Sequence, residues 1–273
     1  MSLIELTDLI ESGAHFGHKS SRWNPKMKTY IMGTRKGTHI IDLKETIKSV
    51  IKATELLKAV ARGGGLAIFV GTKKQLASVI ESEAKRCEMP YVNNRWLGGT
   101  VTNFDTIKKQ LTKLLKCEKS EADGSLVHYN KKEQSQFQRE MQRLRGNLGG
   151  LRVMARLPDV LIAVDQGRSK TALAEASRAN IPTICLLDTD GNPSNITIPI
   201  PINDDAIKSV GLVLSKLADA IIEGRSELVI KPLKAEGEPE EKATKRIIHF
   251  KKEGIRPMDK GKKDSTPKVH TKK

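Results

Sequence analysis

Three short runs of almost unbroken apolar residues mark the middle of the chain, at 66–70, 160–164 and 183–187. Runs of this length and composition are typical of strands that are buried on both faces, as in a parallel sheet. Between and around them, apolar positions recur at intervals of three and four, which predicts helices over Thr46–Ala61, Lys73–Arg86, Lys170–Ala179 and Asp204–Gly224. This alternation of strands and helices predicts an α/β fold with a doubly wound parallel sheet.

Shorter signals place the remaining pieces of this body. Residues 3–10 form a short amphipathic stretch, and a Gly- and base-rich loop follows from Gly13 to Lys28. Tyr30–Met32 and His39–Asp42 are predicted strands, and Gly33–Gly37 is a predicted hairpin turn between them. Three further signals predict where helices begin or end: glycines at 63–65 end one helix, Asp204-Asp205 is the N-cap of another, and Gly224 ends that helix.

Residues 104–150 have a different pattern, with apolar positions on two narrow seams. The seams are separated by a polar break over 119–132, and they consist of Phe104, Ile107, Leu111 and Leu114, then Phe137, Met141, Leu144 and Leu148. This spacing predicts an antiparallel coiled-coil hairpin that protrudes from the body, because a narrow seam buries little surface. Two ordinary surface helices packed on the sheet are the alternative. The predicted domains are therefore a discontinuous body, 1–103 and 151–230, and an arm, 104–150.

The net charge of the chain indicates a binding partner. The chain has 48 Lys and Arg against 32 Asp and Glu, a net charge of +16, and nucleic acid is the commonest polyanion that neutralises such an excess. A basic surface kept for solubility is the alternative, although added acids serve solubility better. Residues 231–273 carry +7 of the total, are rich in Pro, Gly, Lys and Glu, and are expected to be a disordered basic extension.

Several classes of protein are not favoured by the sequence. We expect no secretory signal and no membrane span, and the three well-separated cysteines fit a reducing compartment. Gly71-Thr72-Lys73-Lys74 lacks the Gly–Lys adjacency of a phosphate-binding loop, and no Gly-x-Ser-x-Gly elbow is present. We therefore expect a protein that is not an enzyme. An α/β enzyme that binds a nucleotide or an acidic substrate is the competing hypothesis.

A metal ion is a further candidate ligand. His15 and His18 could supply two ligands, and the acidic cluster near a predicted strand end could supply Asp188 and Asp204, giving a structural zinc or magnesium ion. Tetrahedral zinc needs four ligands, and no cysteine pair lies nearby to complete the set. Loop histidines that contact RNA or backbone are the favoured alternative.

Basic loops interleaved with aromatic residues and glycines are the strongest functional signal. Arginine and tryptophan can pair with phosphate or stack on bases, and glycine allows a close approach of the backbone. The end of the first long strand could also hold a phosphate at a helix N-terminus. The predicted RNA-binding residues are Lys19, Arg22, Trp23, Lys26, Lys28, Arg35, Lys36, Lys73, Lys74, Arg95 and Trp96.

Seven motifs, in this order, closely resemble the S-two family of small-subunit ribosomal proteins, of bacterial or organellar type. The match runs over about four fifths of the chain and is carried by His15-Phe16-Gly17-His18, Trp23-Asn24-Pro25-Lys26-Met27, His39-Ile40-Ile41-Asp42-Leu43, Phe69-Val70-Gly71-Thr72-Lys73, Asn94-Arg95-Trp96-Leu97-Gly98-Gly99, Leu157-Pro158-Asp159, and Ile181-Pro182 with Leu187-Asp188-Thr189. The loop Val164–Ser169 departs from the Asp-rich pattern of the family, and the tail after Lys231 lies outside the family core.

The resemblance implies a flavodoxin-like body with an inserted, protruding α-helical coiled-coil hairpin. It implies a non-enzymatic structural role on small-subunit ribosomal RNA, between the head and body of the subunit. It also implies neighbouring ribosomal proteins as partners, including S-one, which would be docked for messenger RNA binding. A metal ion near the first histidine loop, a cytoplasmic or organellar ribosome as the location, and the absence of a stable homo-oligomer are further expectations.

Overall fold

The computed structural model describes residues 4–123 and 130–230. The predicted basic extension, 231–273, lies outside the described residues, so its expected disorder stays a prediction. The same holds for the centre of the polar break, 124–129. The described helices are α1 Leu6–Glu11, α2 Leu43–Arg62, α3 Ala77–Arg86, α4 Phe104–Ala122, α5 Lys131–Leu148, α6 Lys170–Arg178 and α7 Ile207–Ile230.

Five parallel strands form the main sheet, in the order β5-β4-β6-β7-β8. Their bounds are β4 Ala67–Val70, β5 Tyr91–Val92, β6 Val160–Val164, β7 Thr183–Leu187 and β8 Ile198–Pro201. This order, 2-1-3-4-5 within the sheet, is the order of flavodoxin-like doubly wound folds. Every residue of β4, β6 and β7 is buried, which means that both sheet faces are covered. The α/β prediction is therefore confirmed.

A small antiparallel sheet, in the order β1-β3-β2, precedes the main one. Its strands are β1 Phe16–Lys19, β2 Ile31–Arg35 and β3 Thr38–Ile41. The predicted five-residue turn is too long, because β2 continues to Arg35 and only Lys36 and Gly37 connect it to β3. Both residues have positive φ, 51° and 78°, as a tight two-residue hairpin turn requires.

Helix ends differ from the predicted ones at α7. Gly224 does not stop the helix but lies inside it, where a Cβ would be 2.7 Å from the Cβ of Ala61 on α2. Glycine here permits the close approach of two buried helices. The predicted N-cap is also wrong, because the carboxamide oxygen of Asn203 accepts from the amides of Asp205 and Ala206. The carboxylates of Asp204 and Asp205 serve another purpose, described below.

The helices α4 and α5 pack against each other. The inner positions of both seams are buried, and ion pairs cross between the helices from Lys113 to Glu140 at 2.6 Å and from Arg145 to Glu118 at 3.1 Å. Near the end of α5, the side chain of Asn94 donates to Asn147 at 3.3 Å. The two helices therefore have an apolar contact and charged flanks.

Cys87 and Cys185 are buried and Cys117 is half-buried, and none of the three forms a disulfide. Burial raises the pKa of the Cys87 thiol to about 11, so this side chain stays a neutral thiol near neutral pH. No helix within residues 4–123 and 130–230 is long and apolar enough to cross a membrane.

Replacing Gly150 by Ala is expected to destabilise the protein by about 1–3 kcal/mol. The new Cβ would lie 2.2 Å from the carbonyl oxygen of Tyr91 and 2.7 Å from its ring, and backbone cannot give way cheaply. Gly149→Ala is the matched control, since no atom lies within 4 Å of a Cβ at that position. Urea denaturation compares the two variants, and equal free energies of unfolding would contradict this account.

Candidate nucleic-acid interface

The N-terminal loops fold over one edge of the main sheet. Because β4 to β8 are parallel, their carboxyl ends share that edge. The amide of Asn24 donates to the carbonyl of Thr189, just after β7, at 2.8 Å, and the amide of His18 donates to the Thr189 hydroxyl at 3.0 Å. Asn203, just after β8, donates its amide to the carbonyl of Ala14 at 3.1 Å. Loop 13–28 is thereby fixed to the carboxyl edge, where doubly wound folds place their ligands.

Two of the predicted basic loops become a single surface. The amide of Ser20 donates to the carbonyl of Gly37 at 2.9 Å, and Lys19 pairs with Thr38 in the small sheet, which brings the first loop against the hairpin turn. We call this surface the basic loop cluster; its members are Lys19, Arg22, Lys26, Lys28, Arg35 and Lys36. All six side chains are exposed, and none takes part in an ion pair within the described residues.

Lys74 and Arg95 are exposed too, after the carboxyl ends of β4 and β5. Those strands are neighbours in the main sheet, so both side chains belong to the carboxyl edge. Eight of the eleven predicted RNA-binding residues thus present a free surface to solvent. Their role in RNA binding stays a prediction at this point.

Lys73 does not belong to that exposed surface, and its predicted contact with a phosphate stays a prediction that its surroundings do not favour. Its ammonium is buried and lies 2.6 Å from Asp204, 2.8 Å from Asp205 and 3.3 Å from Asp165. Burial lowers the pKa of Lys73, but hydrogen bonds and attraction from these carboxylates outweigh it and raise the pKa above its ordinary value. The ammonium therefore stays charged and joins the loops that follow β4, β6 and β8.

Neither tryptophan is fully exposed, and base stacking by either ring stays a prediction. Trp96 is buried, and its indole Nε1 donates to the carboxylate of Glu175 at 3.1 Å. Trp23 is half-buried, and its ring centroid lies 5.2 Å from that of the buried His39. Both rings hold their loops to the body.

Glu175 is a functional candidate that the motifs did not reveal. It lies on α6 and is buried, and its carboxylate accepts hydrogen bonds from Trp96, Gly99, Val101 and Thr102. Burial raises the pKa of Glu175, but these donors outweigh it and lower the pKa below its ordinary value. A signal was present in the sequence, since the helical period of α6 places this acidic residue on the same face as the buried Ala172 and Ala176.

The four predicted metal ligands do not form one set. His18 lies 2.7 Å from Asp188, whose carboxylate raises the pKa of the imidazole although burial opposes this. Asp204 forms an ion pair with Lys73, and the ring centroid of His15 lies 4.0 Å from that of Phe16. Within the described residues, no three His, Cys, Asp or Glu side chains are placed to hold a metal ion. The residues present therefore do not fit the predicted ion, whose binding stays an untested prediction that metal analysis of the purified protein can check.

A cleft of about 330 Å³ also opens at the carboxyl edge. Its lining includes Asp188, Asp190 and Asp204 together with Gln166 and Lys170. Carboxylates at close range repel phosphate, so this lining is unfavourable for a nucleotide. The cleft gives no support to the enzyme hypothesis.

Comparison with known proteins agrees with these observations. Residues 9–224 match the family model described as Ribosomal protein S2. The small ribosomal subunit protein uS2c of Porphyra purpurea is 47% identical over 225 residues, which cover 82% of this chain and 93% of the relative. The uS2 proteins of Rhodopirellula baltica and Prochlorococcus marinus (strain NATL1A) are 47% and 48% identical, cover 81% and 82% of this chain, and are themselves covered over 85% and 98% of their length.

The family model spans most of the described chain, and several relatives near half identity align over nearly their whole length. The chain therefore belongs to the Ribosomal protein S2 family, whose members are structural, non-enzymatic components of the small ribosomal subunit.

Proposed function

We propose that this chain binds small-subunit ribosomal RNA through the basic loop cluster, together with Lys74 and Arg95. The observation that carries the proposal is the hydrogen bond from Ser20 to Gly37, which gathers two basic loops into one surface whose charges form no ion pair within the described residues. Elsewhere, many arginines are neutralised by carboxylates of the chain itself, as Arg86 is by Glu83 and Asp219. Cations left without such partners are available to a polyanion.

The mechanism is electrostatic and geometric. Arginine can hold a phosphate with two parallel hydrogen bonds, and lysine acts as a point charge. Each neutralised phosphate releases condensed counterions into solution, and this release favours binding most at low salt. The main sheet fixes the loops to its edge, so their charges are positioned before the RNA arrives and little ordering is needed on binding.

We further propose that α4 and α5 form the coiled-coil arm of the molecule, which reaches neighbouring RNA or proteins. The buried seam and the two interhelical ion pairs support the paired helices. Exposed lysines support a polyanionic neighbour; on α4 they include Lys108, Lys109, Lys116 and Lys119. Placement between head and body, and docking of ribosomal protein S-one, rest on the family resemblance alone. Co-sedimentation of a variant that lacks 104–150 with small subunits tests whether the arm is needed for assembly into the subunit. Co-sedimentation of the same variant with S-one tests the docking role.

Replacing Arg22, Arg35 and Lys36 together by Gln is expected to weaken binding to small-subunit RNA and to flatten its salt dependence. If each side chain neutralises one phosphate, the slope of log affinity against log salt becomes less negative by roughly 0.7–0.9 per residue, about 2–3 in total. Filter binding from low to moderate salt measures the slope.

The matched control removes equal charge from another surface, at Lys44, Lys52 and Arg178. The first two are exposed residues of α2 and the third is exposed at the end of α6, and the net charge of this control equals that of the test variant. If the basic loop cluster is the interface, this control shifts the slope by less than the test variant. Equal slopes for the two triple variants would mean that net charge alone attracts the RNA.

A further inference from the structure

One buried carboxylate organises the whole segment between β5 and α4. Five donors converge on Glu175: the indole of Trp96, the amides of Gly99, Val101 and Thr102, and the Thr102 hydroxyl, at 2.9–3.4 Å. This set satisfies both oxygens and leaves the segment with one defined backbone path.

The path is a tight one that local interactions alone do not determine. Gly99 has a φ of +90°, and a Cβ there would be 3.2 Å from that of Asn103. The amide of Asn103 donates to the carbonyl of Gly99 at 2.8 Å, and the hydroxyl of Thr100 donates to Leu97 at 2.6 Å. Glu175 supplies the contact that ties this turn to another element, α6, 73–79 residues further along the chain.

The consequence falls on Arg95, the residue before the buried indole. Trp96 is held inside by Glu175, while Arg95 is exposed and forms no ion pair within the described residues. Because Trp96 is fixed, the backbone of the adjacent Arg95 can adopt fewer conformations, and its side chain leaves the body in fewer directions. Its guanidinium is therefore presented to solvent from a rigid base, which lowers the entropy lost when it binds a phosphate.

We propose that Glu175 is a positioning residue for an RNA phosphate contact made by Arg95. The proposal rests on the proposed RNA-binding function and names a second residue on which that function depends. Glu175 itself does not touch the RNA. Its negative charge is spread over five donors in the interior, so it organises the loop with little repulsion of the phosphate outside.

The test compares four full-length variants in binding to small subunits stripped of this protein: Glu175→Gln, Arg95→Ala, the double variant, and Glu55→Gln. Glu55 is exposed on α2, so its variant removes the same charge without loosening the segment. We expect roughly tenfold weaker binding for both Glu175→Gln and Arg95→Ala, as for one lost charge-assisted hydrogen bond. The double variant should be little weaker than either one, because both act on one contact.

Hydrogen exchange separates positioning from general loss of structure. In Glu175→Gln, the amides of Gly99, Val101 and Thr102 should exchange faster while those of β6 stay protected. Trp96→Phe, which removes one donor and keeps an aromatic ring, is a milder second variant and should give a smaller effect in the same direction.

Three outcomes would overturn the inference. If Arg95→Ala weakens binding and Glu175→Gln binds like Glu55→Gln, Glu175 is not a positioning residue while the RNA-binding function stands. Additive losses in the double variant would have the same meaning. If Arg95→Ala itself binds like the wild type, the proposed phosphate contact at Arg95 fails and this inference fails with it.

Discussion

Lys73→Met is expected to cost about 3–5 kcal/mol of unfolding free energy, the largest single effect that we predict. The substitution keeps most of the side-chain volume and removes the charge. Asp204, which is buried, would lose its 2.6 Å partner, and Asp165 would lose an attraction at 3.3 Å. Unpaired carboxylates in a poorly solvated site repel each other and must either take up protons or open the structure to water.

The adjacent residue provides the control for this experiment. Lys74→Met removes the same charge one position along the chain, but Lys74 is exposed, so a change within about 0.5 kcal/mol is expected. Chemical denaturation at neutral pH measures both variants. A similar free energy of unfolding for the two would mean that the buried ammonium contributes no more than a surface charge. RNA affinity should respond in the opposite order to stability. Lys74→Met should weaken RNA binding more than Lys73→Met does, because only Lys74 lies on the proposed RNA-binding surface.

Glu175→Gln is expected to lower the free energy of unfolding by about 2 kcal/mol at pH 7, because an amide cannot accept all five hydrogen bonds. The loss should depend on pH. The pKa of Glu175 lies below its ordinary value of 4.5 in the folded protein, so its carboxylate adds stability above the unfolded pKa. That contribution disappears as the pH falls through the folded pKa.

The difference between the wild type and Glu175→Gln should therefore be constant above about pH 5.5 and shrink in more acidic solution, since the variant has no titrating group at this position. Thermal unfolding from pH 3 to pH 8 measures this difference. Glu55→Gln, at an exposed position, should show no comparable trend. A Glu175→Gln difference that stays the same down to pH 3 would show that shape, and not the ionised carboxylate, holds the segment.

Local patterns of the sequence were sufficient to predict the α/β class, the central parallel strands and most of the helices. The apolar runs at 66–70, 160–164 and 183–187 became β4, β6 and β7 of a parallel sheet, within one residue at each end. The helical period placed α2 to α7 and the buried positions of α4 and α5. These features depend on residues that are near in sequence, where a strand repeats every two residues and a helix every 3.6. The basic loops were also identified from the sequence, because their lysines and arginines lie close together along the chain.

The chemical roles of individual residues depended on the tertiary structure. Lys73 and Lys74 are identical and adjacent, yet one is buried among carboxylates and the other is exposed, because the partner Asp204 lies 131 residues away. Trp96 and Glu175 are separated by 79 residues. Gly224 has the pattern of a helix stop, but the fold places it against α2, where only a small residue fits. The sequence by itself therefore determined the elements and the basic character of this protein. Only the tertiary structure decided which charged side chains pair with each other in the interior and which stay exposed. The physical reason is that these ion pairs join loops that the sheet brings together from distant parts of the chain.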